Sequence, residues 1–270
     1  MSIITISRGS YSKGKEVAEK VAQKLGYECI ARDAIIDASK EFNISEIKLI
    51  RAIHDAPTIL ERFNYSKEKY LAYLRVAMLE RFRKDNVVYH GLGGHFFVRN
   101  ISHVLKVRII ADMGDRVKLE MEREGISKEE ALRVLKNDDN ERRKWSQYLY
   151  GIDTWDPSLY DLVVHIKKIG TDDAADIICH AVGSEHFKTT PESQKALNSL
   201  MIAAKVKVVL MDLRPDIEVL ATDGTVSIVA KASEQEKGNL GRKMEELARR
   251  VPGVKNVEIH FEPYLFSDPE

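Results

Sequence analysis

At 270 residues the chain exceeds what one hydrophobic core usually organises, so one large or two unequal domains is the starting expectation. A hydrophobic fraction of 44% and a charged fraction of 31% exclude a disordered chain and leave ample apolar material for a packed core. Lys plus Arg and Asp plus Glu each count 42, which excludes a global positive field that would gather nucleic acid or an anionic membrane, so any anion site must be local.

The chain opens with a β-branched run at residues 3–6 that is too short for a signal peptide and reads as a buried first strand entering a turn at Ser7-Arg8-Gly9. A helix is expected from about Gly14, because Val17, Val21, Ala22 and Leu25 recur at helical spacing and Gly26 supplies a stop before a second strand at residues 27–30. Further helices are read at 45–53 and 67–83, the second carrying Tyr70, Leu71, Leu74, Met78 and Phe82 on one stripe. Strands at 86–90 and 104–111 flank a glycine corner, Gly91-Leu92-Gly93-Gly94, and precede one charged helical stretch over 115–144. A strand at 161–166 and a helix at 171–182 close the pattern. Strands alternating with helices imply a three-layer α/β/α fold with a parallel sheet. Residues 183–192 mix Gly, Ser, Thr and Pro without apolar periodicity, and a linker is read at 184–194. After it come a helix over 194–210, alternating strands at 216–221 and 225–231 around Asp223-Gly224, a helix over 234–251 and a strand at 254–261, in the order αββαβ. No stretch approaches the roughly 18 consecutive apolar residues of a membrane span. Cys29 and Cys179 have no metal-ligand spacing, which argues against a disulfide scaffold or zinc site and fits a reducing cytoplasm.

The chemistry-bearing signal is Gly9-Ser10-Tyr11-Ser12-Lys13-Gly14-Lys15, a G-x-x-x-x-G-K motif between the first strand and the first helix. Phosphates need short donors close to the chain; glycines let main-chain amides turn inward, and a helix N-terminus adds a favourable field. Lys15 would reach the outer phosphates. The Ser or Thr that would hold magnesium is replaced by Glu16, which either binds the metal or acts at the helix N-terminus. His90 and His95 flank the glycine corner without a third ligand and read as structural. Trp145, Tyr148, Tyr150 and Trp155 cluster near the second half of the chain; core or inter-domain packing is their expected use, base stacking the alternative.

Ile4-Thr5-Ile6-Ser7-Arg8 with Gly14-Lys15-Glu16-Val17-Ala18, the segment Asn137 to Arg143, and Pro157 to Val163 together resemble the cytidylate kinase-like group of P-loop nucleoside monophosphate kinases over residues 1–183. The resemblance implies ATP as phosphoryl donor, Mg2+, and CMP or dCMP as acceptor. It implies that residues 9–16 hold the donor phosphates, that Arg116 packs near the adenine, and that Arg142 stands in a lid whose guanidinium stabilises the transferring group and touches substrate. It also implies that Asp33 lies near the acceptor, helix N-capping being its alternative. The strand at 87–91 should lead to an arginine that grips the monophosphate, but Leu92 stands there; Arg99 or Arg108 would have to compensate. Residues 195–264 resemble a BON domain through Asp216 to Val219, Asp223 to Ile228 and Val251 to Val257, which implies a regulatory or oligomerising role. Two functions therefore stand as expectations: a CMP-type kinase, and a nucleotide sensor that binds without turnover and signals through the C-terminal domain, with Glu16 and Leu92 favouring the second. The partners are nucleotides, not nucleic acid, with self-association through the C-terminal domain left open.

Overall fold

The computed structural model describes residues 1–9, 12–31, 33–43, 66–91 and 93–263. In chain order the elements are β1 (Ile3–Arg8), α1 (Gly14–Leu25), β2 (Glu28–Ile30), α2 (Asp33–Glu41), α3 (Ser66–Phe82), β3 (Val87–His90), α4 (Gly94–Phe97), β4 (Val104–Ala111), α5 (Met113–Glu124), α6 (Lys128–Tyr150), β5 (Leu162–Ile166), α7 (Thr171–Val182), α8 (Pro191–Leu210), β6 (Glu218–Thr222), β7 (Thr225–Lys231), α9 (Glu234–Arg249) and β8 (Asn256–Glu262). The helix expected at 45–53 lies outside the described residues.

The two-residue period of the first strand organises the larger unit. Ile3 joins one buried cluster, while Ile4 and Ile6 join another on the opposite face. β2, β3, β1, β4 and β5 lie in that order, and every pairing is parallel. The first face is covered by α2, α3 and α8, through Ala38, Leu71, Leu74, Met78, Leu197 and Met201. The second is covered by α1 and α7, through Val17, Val21, Ala174 and Ile178. A sheet buried on both faces is what near-continuous apolar strands require. The strand order reverses at β1, so the crevice outside its carboxyl end is where an open parallel α/β sheet receives a ligand.

The charged stretch expected as one helix over 115–144 is two. Gly125, at φ 67°, closes α5 in the left-handed conformation, and Ser127 caps α6 by accepting from the Glu130 N–H at 3.2 Å. The two helices share a small cluster of Val117, Ala131 and Leu135, separate from the sheet's cores.

The smaller unit is a three-stranded sheet in the order β6-β7-β8, antiparallel then parallel. Its hairpin turns at Asp223 and Gly224, both at positive φ (56° and 89°), as a two-residue turn matched to the strand twist requires. α8 and α9 cover one face through Val206, Leu210, Met244 and Ala248. α8 begins at Pro191, three residues before the expected start, because Thr190 accepts from the Ser193 N–H at 3.1 Å and proline suits the first helical position. The helix serves both units. Leu197, Met201 and Ala204 form a stripe in the larger unit's core, and Val206 and Leu210, half a turn away, belong to the smaller one. The segment before it is also tied down, as Thr189 donates from its N–H to the Met1 carbonyl at 2.9 Å and from its hydroxyl to Asp85 at 2.7 Å.

Candidate active site

At the carboxyl end of β1 the chain turns through Gly9 into α1. The Ser12 hydroxyl, fully buried, sits within 3.0 Å of the Gly9 carbonyl and 3.1 Å of the Ile109 carbonyl on β4, which fastens the loop to the sheet. Lys13 takes the left-handed conformation at φ 61° immediately before α1, and Gly14 packs so closely on Arg8 that an added Cβ would lie 2.8 Å from Arg8 Cβ. Ser10 and Tyr11 lie outside the described residues, as does Leu92. Asp33 stands at the start of α2, and its side chain is likewise outside what is described.

A cavity of about 380 Å³ opens beside this loop, lined by Gly9, Ser12, Arg108, Arg116, Asp139 and Trp155 among others. Arg116, from α5, is buried and pairs with Asp139 of α6 at 2.8 Å. Arg108 donates to the Tyr160 hydroxyl at 3.2 Å. Arg142, one turn along α6 from Asp139, donates from Nη1 to the Arg8 carbonyl at 3.2 Å, closing 134 residues of sequence separation. The structure thus brings Gly9, Ser12, Arg116 and Arg142 to one place. Lys15 stands apart: its ammonium is on the exposed side of α1, 3.6 Å from Glu19.

Glu16 points at the second unit of secondary structure on its face of the sheet. Its carboxylate accepts from the Thr171 hydroxyl at 2.6 Å and pairs with Lys20 at 3.1 Å. The Thr171 hydrogen bond, reinforced by Lys20 and Lys13 against the opposing effect of burial, holds this carboxyl below its ordinary pKa. The oxygens of the described loop therefore do not fit a protein-held magnesium, since Ser12 is turned to two carbonyls and Glu16 to Thr171 and Lys20. Among the described residues no group of three or more His, Cys, Asp or Glu side chains is placed to hold a metal.

His90 and His95 are buried, and burial, with Arg108 and Lys106 adding repulsion, pulls His95 down to about 3, so it stays neutral. Arg99 is exposed at a turn, whereas Arg108 lines the cavity. Tyr148 donates to Glu68 at 3.1 Å, tying the end of α6 to α3. Trp155 corrects the expectation of core or inter-domain packing: it is 57% exposed and forms part of the cavity wall. Asp139 was not singled out within the Asn137 to Arg143 segment, and Trp155 had been given site use only as the alternative to packing. The available signal for Asp139 was Arg116 itself, a buried cation that needs a counter-charge.

A glycine turn feeding a helix N-terminus, set at the strand-order reversal of a parallel sheet beside a cation-lined cavity, defines a nucleotide-binding α/β protein of the phosphate-loop class. The sequence model of the cytidylate kinase-like family matches residues 3–168, and the chain belongs to that family. Similar proteins include the cytidylate kinase of Sulfolobus acidocaldarius, 27% identical over 186 residues that span 68% of this chain and 96% of the relative. The cytidylate kinase of Thermococcus kodakarensis is 35% identical over 104 residues, 38% of this chain and 53% of that one. The crystal structure of an uncharacterized protein from Eubacterium ventriosum shares the fold with a TM-score of 0.52 at 23% identity, covering 68% of this chain and all (100%) of its own.

Proposed function

We propose that the chain transfers the γ-phosphoryl group of ATP, taken as its magnesium complex, to a nucleoside monophosphate, with CMP or dCMP the first acceptors. The observation that carries this reading is the meeting of α6 with the loop: Arg142 reaches the carbonyl at the end of β1 while Gly9, Ser12 and Arg116 wall the adjoining cavity. The acceptor class follows from membership of the cytidylate kinase-like family and from relatives named cytidylate kinase.

Phosphoryl transfer spreads charge over equatorial oxygens, so positioning and electrostatic stabilisation do most of what the protein must do, and no strong base is needed. Loop amides and the α1 N-terminus hold the donor phosphates. Lys15 has to leave Glu19 to reach them. An exposed pair four residues apart on a helix is worth only about 0.3–0.5 kcal/mol, far less than a charge-assisted contact with a triphosphate, so Glu19 does not hold it back. Arg142 exchanges its bond to the Arg8 carbonyl for the transferring group, and Arg116 lies against the donor nucleotide. Magnesium arrives with the nucleotide and needs few protein ligands. Glu16 no longer argues for a non-catalytic sensor, because its carboxylate is directed at Thr171 and Lys20 instead of at the phosphates. The C-terminal unit we read as BON-like, on its α-β-β-α-β order and its Asp223-Gly224 turn, with a regulatory or self-associating role. No helix among the described residues is long and apolar enough to cross a membrane, and a cytoplasmic setting fits the use of ATP.

The test is nucleoside diphosphate formation from MgATP with CMP, dCMP, UMP and AMP, comparing wild type with Lys15→Ala and Arg142→Ala. Turnover that depends on CMP or dCMP and falls in both variants supports the reading. Saturable ATP binding without turnover on any acceptor refutes it.

A further inference from the structure

An exposed indole forgoes apolar burial, and this one does so on the wall of the cavity beside the loop. Trp155 is 57% exposed and yet firmly held. The Asp153 carboxylate accepts from the Trp155 main-chain N–H at 3.0 Å and from two nitrogens of Arg143 at 3.0 and 2.6 Å. The Arg143 guanidinium lies 5.2 Å from the centre of the indole, within cation–π range. On the other side of the same turn, the buried Tyr160 hydroxyl lies 3.1 Å from the Thr154 carbonyl and 3.3 Å from Ser7 Oγ at the end of β1. Asp156 then caps the short turn Pro157–Leu159 by accepting from the Ser158 N–H at 2.8 Å. The ring is thus presented to the cavity by a turn locked both to α6 and to the sheet.

The rest of the cavity wall decides what such a ring could hold. Ser12 is turned to two carbonyls, Arg108 donates to Tyr160, and Arg116 pairs with Asp139. The other named walls, Ile110, Ala111, Pro157 and Val163, are apolar. A flat heteroaromatic group entering beside the phosphate loop therefore meets the indole face and apolar side chains, beside guanidiniums that already have partners within the protein. Every nucleobase has a π-face, and stacking on an aromatic side chain holds it with little regard to its edge.

We infer that Trp155 is the stacking platform for the base of the donor nucleotide, with Arg143 and Asp153 as the residues that position it. The inference rests on the phosphoryl-transfer reading above and adds its donor specificity: purine triphosphates bind alike, and pyrimidine triphosphates, with less area to stack, bind more weakly.

The experiment uses the full-length chain carrying Trp145→Phe, so that Trp155 is its sole tryptophan, and titrates it with MgATP, MgGTP, MgCTP and magnesium tripolyphosphate. ATP and GTP should quench the indole emission at similar concentrations, CTP at higher ones, and tripolyphosphate should leave it unchanged. In kinetics, Trp155→Ala should raise the KM for ATP about tenfold, leave the KM for CMP within about twofold, and be largely rescued by Trp155→Phe. Tripolyphosphate quenching equal to that of ATP, an unchanged KM for ATP in Trp155→Ala, or an equal rise in the KM for CMP overturns the inference while leaving the kinase reading intact. A wild-type chain that binds no triphosphate overturns both.

Discussion

Truncating Leu197 tests whether the C-terminal segment is structurally part of the nucleotide-binding unit. The side chain is fully buried and belongs to the same cluster as Leu71, Leu74 and Met78 of α3, although it lies beyond residue 190. Replacing a fully buried leucine by alanine costs about 3 kcal/mol, the transfer term plus a cavity that the rigid α3 wall cannot collapse into. For a cooperative unit of this size that lowers Tm by about 6–12 °C. Val206→Ala, on the opposite face of α8 in the smaller unit's core, is the matched comparison. Scanning calorimetry with and without MgATP identifies which transition belongs to the nucleotide-binding unit, since a ligand shifts only the unit that binds it. Leu197→Ala should lower that ATP-responsive transition. If it lowers only a separate transition that ATP does not move, α8 is not part of the first core's stability and the shared-helix argument fails.

Asp139→Ala should destabilise the protein by about 2 kcal/mol in urea and raise the KM for ATP, because it strips the counter-charge from the buried Arg116; a double-mutant cycle with Arg116→Met that proves additive would refute their coupling. Gly14→Ala should cost about 1–3 kcal/mol and impair ATP binding, since its Cβ would lie 2.8 Å from Arg8 Cβ and Cδ; an unaltered Tm would show that Arg8 yields freely. His95 gives a pH dependence of definite sign. Between about pH 3 and 6.5 the unfolded chain binds a proton at this position that the native chain does not, so stability is intact above the unfolded value and falls as the solution is acidified, by up to about 1.4 kcal/mol per pH unit. Urea midpoints measured from pH 7 to 4 should fall less steeply in His95→Phe, and parallel profiles would refute the assignment.

The order of strands and helices was legible where an element carried a period, two in β1 and β4, three to four in α1 and α7, whereas α2 and α4 were not among the expected elements. Thr171–Val182 and Thr225–Lys231 have the bounds their patterns imply. The break inside the charged stretch was missed because polar residues on both sides of Gly125 hide the apolar stripe, although glycine followed by Ser127 and Glu130 is a stop-and-cap signature. The double use of α8 could not be read from its composition. A helix apolar on two faces gives no single stripe, and which face meets which core is decided by tertiary packing.

For the site, spacing along the chain located the loop but not the partners that reach it through space. Arg116 and Arg142 came from family resemblance, and their geometric roles differ in a way no motif expresses. Arg116 on α5 and Asp139 on α6 pair within the helix pair that has its own small core, so their contact is internal to that pair. The bond from Arg142 to the Arg8 carbonyl instead crosses from the pair to the sheet. A displacement of that pair against the sheet would change the Arg142 contact and leave the Arg116 one intact. Trp155 stands between these cases, fixed to α6 through Arg143 and to the sheet through Tyr160 and Ser7. A base stacked on it would rest on a surface held from both the helix that carries Arg142 and the sheet. On that proposal, donor binding would be linked to the position of the helix that carries Arg142.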